Sequence, residues 1–369
     1  MKLAAWQSPR WPSRVILGIL ILSAWQRTVA QESAPQDVPP TSPPGSPKPG
    51  ATPRPVNWRT LNPEYLRNYV RKLLYTSQFD ELETVAKEIE SKQLRTSYGD
   101  WKLETLFDGI SFPRQSNDPE DWKVLFQRLD EWIAFSNSDY ALNAKARTQL
   151  KYAWHVRTGS WASEVTKEQW EVFGKGVQAS LETYKTVLQR PGKCVDTYSE
   201  LLRIGLAQGW KPDQMDKTLR AAIAIAPNYS PCFSTMGWYY LERYYGHPGD
   251  SRKFLDSIPQ MVAGDDGLEA YTREAMNQHR FYKEEFFQNT PGGCADWPTM
   301  KKGFEVLAKR FPARLWFKNL CGAYACIAKD RATARQMLDE ITAQDAVEVN
   351  AWSIVGGFET AKKWIMDDH

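Results

Sequence analysis

Apolar residues along this chain recur at helical rather than strand spacing. Leu66, Tyr69, Val70, Leu73 and Leu74 fall on one helical face, and Phe79, Leu82, Val85, Ala86 and Ile89 repeat the pattern after a short break. Asn62-Pro63-Glu64 reads as a helix start: a capping side chain, proline in the first turn and an acid at the positive helix end. The pair predicts a helical hairpin. A third helix is expected over 100–107, and Asp118-Pro119 opens a fourth carrying Trp122, Leu125, Phe126, Leu129, Trp132 and Ile133. A longer pair follows over 140–156 and 161–188, stopped by Pro191-Gly192. Two further helical patterns meet near Ala226-Pro227 within 198–241. After Tyr245, Gly-rich turns at 246–250 and 264–267 separate a short helix at 251–262 from a longer one at 268–287. Helices then run through 297–341 and 351–365. No alternating strand run appears, so the expectation is an all-α fold.

Composition divides the chain into three regions. Residues 1–30 contain Lys2, Arg10, Arg14 and Arg27 and no acid, with an apolar run from Val15 to Trp25 and small residues at Thr28-Val29-Ala30. This is the layout of a secretory signal peptide, and the run is short for a membrane span. Export is the expectation, to a periplasmic or extracellular location, with membrane contact only if the signal stays uncleaved. Residues 31–57 are Pro-rich, with nine of the chain's 23 prolines between 35 and 56, and read as a semi-rigid solvated linker. Residues 58–369 form the expected helical domain. The formal charge of +3 comes from the leader: without its four cations the balance is 43 basic against 44 acidic residues, which gives no electrostatic case for nucleic acid.

Two stretches of the helical region share one spacing. Phe233, Met236-Gly237 and Tyr240 follow the W-x2-L-G-x2-Y opening of a tetratricopeptide unit, while Leu219, Ala222 and Pro227 fall where the preceding unit places its large, small and helix-stopping residues. Met300, Phe304, Leu307 and Pro312, then Phe317, Leu320 and Tyr324, copy the pattern. The units at 198–241 and 297–341 thus resemble tetratricopeptide-like hairpins, which implies an array of antiparallel helical hairpins, an α-solenoid whose groove holds proteins or peptides. The spacing departs from the rule, because Pro227 and Pro312 lie 85 residues apart, not a multiple of the 34-residue repeat. Tyr152-Ala153-Trp154, Gly159-Ser160-Trp161, Trp170 with Phe173, and Gln208-Gly209-Trp210 also resemble a bacterial family grouped as domain of unknown function 4034, which carries no activity to transfer.

Candidate chemistry is sparse. No nucleotide-binding or nucleophile-elbow motif occurs, and His155, His247, His279 and His369 lie outside ligand spacing of one another, so neither a cofactor nor a metal is expected. Trp238, beside Tyr239 and ahead of Tyr244, falls at a repeat position that faces the groove, and Lys318 and Asn319 occupy comparable positions in the second unit. These five are the expected binding residues, for a protein or peptide partner in the bacterial envelope. The alternative is a carbohydrate-active enzyme on a ring of helices, using the loop carboxylates Asp250, Asp265, Asp266 and Glu269. Cys194 and Cys232 open the first helices of successive hairpins and are a possible disulfide, with buried free thiols as the competing reading.

Overall fold

The computed structural model describes residues 57–160, 163–288 and 293–367. The expected signal peptide and almost all of the Pro-rich linker lie outside them. Fifteen α-helices account for most of the described chain, and its only ladder contact is an isolated bridge between Arg95 and Trp101. The all-α expectation holds.

The helices begin where local chemistry starts them. In α1 (Pro63–Tyr75) the Asn62 side chain accepts from the Tyr65 amide at 3.0 Å with proline at the first position, and α2 is Phe79–Ser91. Such a cap contributes about 1 kcal/mol. α3 is Lys102–Ile110, and α4 (Pro119–Ser136) is capped by Asp118 at 2.9 Å from the Glu120 amide. α5 (Asp139–Arg157) is capped by Ser138, and α6 (Lys167–Leu188) by a reciprocal Thr166–Gln169 capping box. Next come α7 (Val195–Gln208), α8 (Pro212–Ile223), α9 (Ser230–Tyr239) and α10 (Asp250–Met261). The chain continues through α11 (Gly264–Tyr282), α12 (Trp297–Arg310), α13 (Trp316–Ile327), α14 (Arg331–Ala343) and α15 (Phe358–Met366). Two expectations change in detail. The predicted turn at 264–267 is the first turn of α11, and the tail splits into a 3-10 segment (Val349–Val355) and α15, broken at Gly356-Gly357, both at positive φ.

Helices pack mainly on their sequence neighbours. The members α1, α3, α5, α7, α9 and α11 also pack successively on one another, forming one row, with the intervening helices against it. Apolar faces named from the sequence are buried: Leu66, Val70, Leu74, Leu82, Val85 and Ile89 are fully enclosed, and most Trp and Tyr rings fill grooves between helices. A continuous core runs from Trp58 to Tyr324, and a smaller one gathers α13–α15 around Trp352.

One contact joins distant parts of the chain. The segment 93–101, between α2 and α3, reaches the α8–α9 corner and the start of α11. Trp101 is buried there, donating to the Asn228 carbonyl at 3.2 Å and packing 5.0 Å from Tyr229. Arg95 lies 3.5 Å over the Trp101 ring and pairs with Glu269 at 3.1 Å. Glu269, fully buried, also receives Arg273 at 3.0 Å and Arg310 at 2.8 Å, so one carboxylate ties three arginines from three parts of the chain. Gly99, at φ +81°, has no room for a side chain: a Cβ would fall 2.5 Å from the Phe311 ring.

Candidate functional site

The densest polar grouping lies where α3, α5 and α7 meet. On α3, Glu104 and Asp108 are one turn apart and share a face; on α5, Arg147 and Lys151 do the same; α7 adds Asp196, Glu200 and Arg203. Small residues open this space, since Ala141, Ala144 and Ala146 are all buried beside Arg147. The Arg147 side chain, 1% exposed, is the hub. It donates to both Asp196 oxygens at 2.8 and 2.7 Å and to Asp108 at 2.8 Å, and lies 3.1 Å from Glu200. Tyr229 donates to Asp196 at 2.8 Å, and Lys151 to Asp108 at 2.6 Å. Arg203 stands 3.4 Å from Glu200 and 3.9 Å from Glu104.

Exposure grades across this cluster. Asp196 and Glu200 are sealed, whereas the Asp108 and Arg203 side chains are 28% and 29% exposed, with Glu104 and Lys151 between. Burial, then the neighbouring Asp108 carboxylate, pushes Glu104 up to about 7, against the pull of Arg203 and Arg147. Burial also opposes ionisation of Asp108, but the Lys151 ammonium and Arg147 guanidinium outweigh it and hold Asp108 well below the usual carboxylate range. Burial lowers Lys151, offset in part by Asp108. At neutral pH the open edge therefore presents an ionised Asp108 beside a Glu104 that exchanges a proton, flanked by two cations. Such an edge can hold a charged or hydrogen-bonding group without first reorganising.

The residues expected from the sequence lie elsewhere. Trp238 is 2% exposed, packed against Tyr244 at 5.5 Å and Phe281 at 5.8 Å with Arg280 5.0 Å over its ring. Tyr239 is buried, stacked on Tyr245 and donating to the Trp210 carbonyl at 2.8 Å. Tyr244 is buried as well. The groove expectation is therefore corrected at these three positions: Arg280 and Phe281 of α11 cover Trp238, and Trp210 and Tyr245 enclose Tyr239. Asn319 is fully buried, donating to the Leu315 and Ala346 carbonyls and accepting from the Glu348 amide and Trp352 indole, which makes it a clamp on the tail. Lys318 pairs with Glu340 at 2.6 Å.

The proposed loop acids do not share a site. Asp250 opens α10, accepting from the His247 amide of the preceding loop at 2.8 Å and pairing with Lys253. Asp265, Asp266 and Glu269 begin the next helix, separated from Asp250 by the 12-residue length of α10, roughly 18 Å. Glu269 is sealed by its arginines, and Arg310 binds Asp266 at 2.7 Å. The Cys194–Cys232 bridge is likewise corrected, because both are free, buried thiols. Cys194 faces Glu90, whereas Cys232 faces Ser199, five residues further along α7, about 7 Å down the helix and beyond disulfide reach.

No protein-family model matches this chain, and no curated protein matches it significantly. The α3–α5–α7 cluster was not singled out in the sequence. Its signal was there, as charges at i, i+4 inside otherwise buried helical faces: Glu104/Asp108, Arg147/Lys151 and Asp196/Glu200.

Proposed function

We propose that this chain is an exported helical-repeat protein of tetratricopeptide-like, α-solenoid type that binds a protein or peptide partner in the bacterial envelope. Export rests on the composition of residues 1–30, and the repeat reading on the two matching units and the hairpin packing. One observation carries the binding site: a partly exposed row of Glu104, Asp108, Lys151 and Arg203 held in place from behind by sealed Arg147, Asp196 and Glu200. Fixed charges of both signs on neighbouring helices favour a charged peptide segment over an apolar one. The test is capture of a partner from envelope extract by the full-length chain, compared with a Lys151→Met/Arg203→Ala variant. Capture should weaken roughly tenfold or more and fall with added salt, while helical content stays unchanged. Capture that is equal for both proteins overturns the assignment.

A second reading has its own observation. Glu104 near 7 and an ionised Asp108, one helical turn apart, have the division of labour of a general acid and a charged partner. In that reading the chain is a carbohydrate-active enzyme acting from this cluster rather than from the loop acids. It requires glycan hydrolysis that disappears in Glu104→Gln; no hydrolysis across a glycan panel removes it.

A further inference from the structure

On α3 the hydrogen-bond acceptors outnumber the donors that reach them. Seven of its nine residues are buried, and the other two are Glu104 and Asp108, with side chains 17% and 28% exposed. Arg147 and Lys151 donate to one and the same Asp108 oxygen, Oδ1, at 2.8 and 2.6 Å. Asp108 Oδ2 and both Glu104 oxygens accept no hydrogen bond among the described residues. The ion pair of Glu104 with Arg203 spans 3.9 Å, outside hydrogen-bond length. Three carboxylate oxygens on partly exposed side chains, one helical turn apart, are thus left without donors.

The rest of the cluster does not supply them. Four acids, Glu104, Asp108, Asp196 and Glu200, face three cations, Arg147, Lys151 and Arg203. Arg147 is held by Asp196 and Asp108, and Arg203 is divided between Glu104 and Glu200. Glu200 is 1% exposed, and its Oε1 is buried without a hydrogen bond, so a shift of Arg203 toward Glu104 would weaken the compensation of a sealed charge. Helices on the other sides of α3 direct their charges elsewhere. Arg71 of α1 donates to the Gly109 carbonyl at 3.1 Å, beyond Asp108, while Glu83, Glu88 and Glu90 of α2 bind Trp132, Arg59 and Tyr140. Protonation reflects the same deficit, since burial, then Asp108, pushes Glu104 up to about 7.

We infer, on the reading of this surface as a partner site, that the bound segment presents an arginine whose guanidinium seats across Glu104 and Asp108. A guanidinium is planar, carries five donors on a rigid fork and stays charged, so its edges meet two carboxylates at once. An ammonium gathers its three donors at one point and serves one carboxylate better than two. Lys151 and Arg203 flank the pair, so the matching segment carries an acid beside its arginine.

The test titrates the full-length chain with the capped peptide Gly-Arg-Glu-Gly, and with versions carrying lysine or citrulline in place of arginine, read by ligand-observed NMR. The arginine peptide is expected to bind, the lysine peptide to bind roughly threefold more weakly, and the uncharged citrulline peptide roughly tenfold or more. Glu104→Gln keeps the side-chain shape and removes the uncompensated charge. It should fold at least as stably and lose roughly tenfold in affinity for the arginine peptide. Glu120→Gln, which neutralises an exposed acid on α4, should leave that affinity unchanged. Seating the cation ionises Glu104, so affinity should rise roughly tenfold from pH 6 to pH 8 in the parent and stay level in Glu104→Gln. No binding of the arginine peptide overturns the seat, and so do equal binding of the lysine or citrulline peptide, unchanged affinity in Glu104→Gln, or equal losses in both variants. If Lys151→Met/Arg203→Ala still loses partner capture in that event, the partner surface stands without the arginine; equal capture by that variant overturns the surface itself.

Discussion

Glu269 and Glu274 lie five residues apart on α11, both fully buried, and end in opposite states. Glu269 meets three arginines at 2.8–3.1 Å; burial works against its charge, but Arg273 and Arg95 outweigh it and its pKa falls below the ordinary value. Glu274 meets amides and a hydroxyl instead: Gln278 donates at 2.6 Å, Asn277 at 3.3 Å, and Ser234 adds a third contact. Burial wins there, and the carboxyl is pushed up to about 8. Equal burial thus gives a charged tie near the start of the helix and a neutral hydrogen-bonding group at its middle, and the partners decide which. The tie holds segment 93–101 in place. Gly237 allows α9 to pack closely on α11 at Glu274, since a Cβ there would fall 1.8 Å from Glu274 Oε1.

The sharpest way to break this contrast is Glu269→Ala. It leaves Arg95, Arg273 and Arg310 facing one another without their shared anion, and loss of one partner from a buried ion cluster costs on the order of 3–5 kcal/mol. The urea midpoint should drop accordingly, and proteolysis should open first at 93–101, because the segment's link to α11 is gone. A loss below about 1 kcal/mol with no new cleavage there means that Trp101 packing alone holds the segment.

Glu274→Gln tests the other acid, and its effect depends on pH. The ordinary carboxyl value is 4.5, against about 8 in the folded chain. Above 4.5 the unfolded chain releases a proton that the folded chain keeps, so Glu274 favours unfolding increasingly as pH rises from 4.5 to 8 and no further beyond. Glu269 has the opposite sign, since a lowered pKa contributes stability that is lost on acidification. Glu274→Gln should therefore match the parent near pH 4 and exceed it at pH 9 by on the order of 2–4 kcal/mol, provided the amide keeps the contacts to Asn277, Gln278 and Ser234 and its position beside Arg280. A parallel pH dependence in both proteins shows that Glu274 is ionised when folded.

The surroundings of α11 also mark what the sequence could and could not show. Helices were legible because their signals are local: Asn62-Pro63, Asp118-Pro119 and the apolar faces that followed them match the observed starts and the buried residues. The contacts of Arg95 were not legible, since Asn228 lies 133 residues away and Glu269 174, with no periodicity linking them. Trp238 was misplaced for a related reason. Repeat register gives the direction of a side chain on its own helix but not the helix that covers it, and α11 brings Arg280 and Phe281 over that ring. The α3–α5–α7 cluster lay in between: each i, i+4 pair was visible on its own helix, and only packing brought the three together.

The smallest effect is expected from Asp266→Asn, which separates proximity from burial within the charged tie. Asp266 binds the same Arg310 nitrogen as Glu269, at 2.7 against 2.8 Å, and accepts from Asn228 at 3.0 Å. Its side chain is 39% exposed, however, so water replaces much of what the arginine supplies. An exposed pair of this kind contributes about 0–1 kcal/mol, and the remaining Glu269 contact keeps Arg310 in place. The variant should unfold within about 1 kcal/mol of the parent, and high salt should narrow the gap while leaving the Glu269→Ala loss largely intact. A loss as large as that of Glu269→Ala would mean that the two acids act as one coupled unit around Arg310, and the distinction between sealed and exposed partners would fail at this corner.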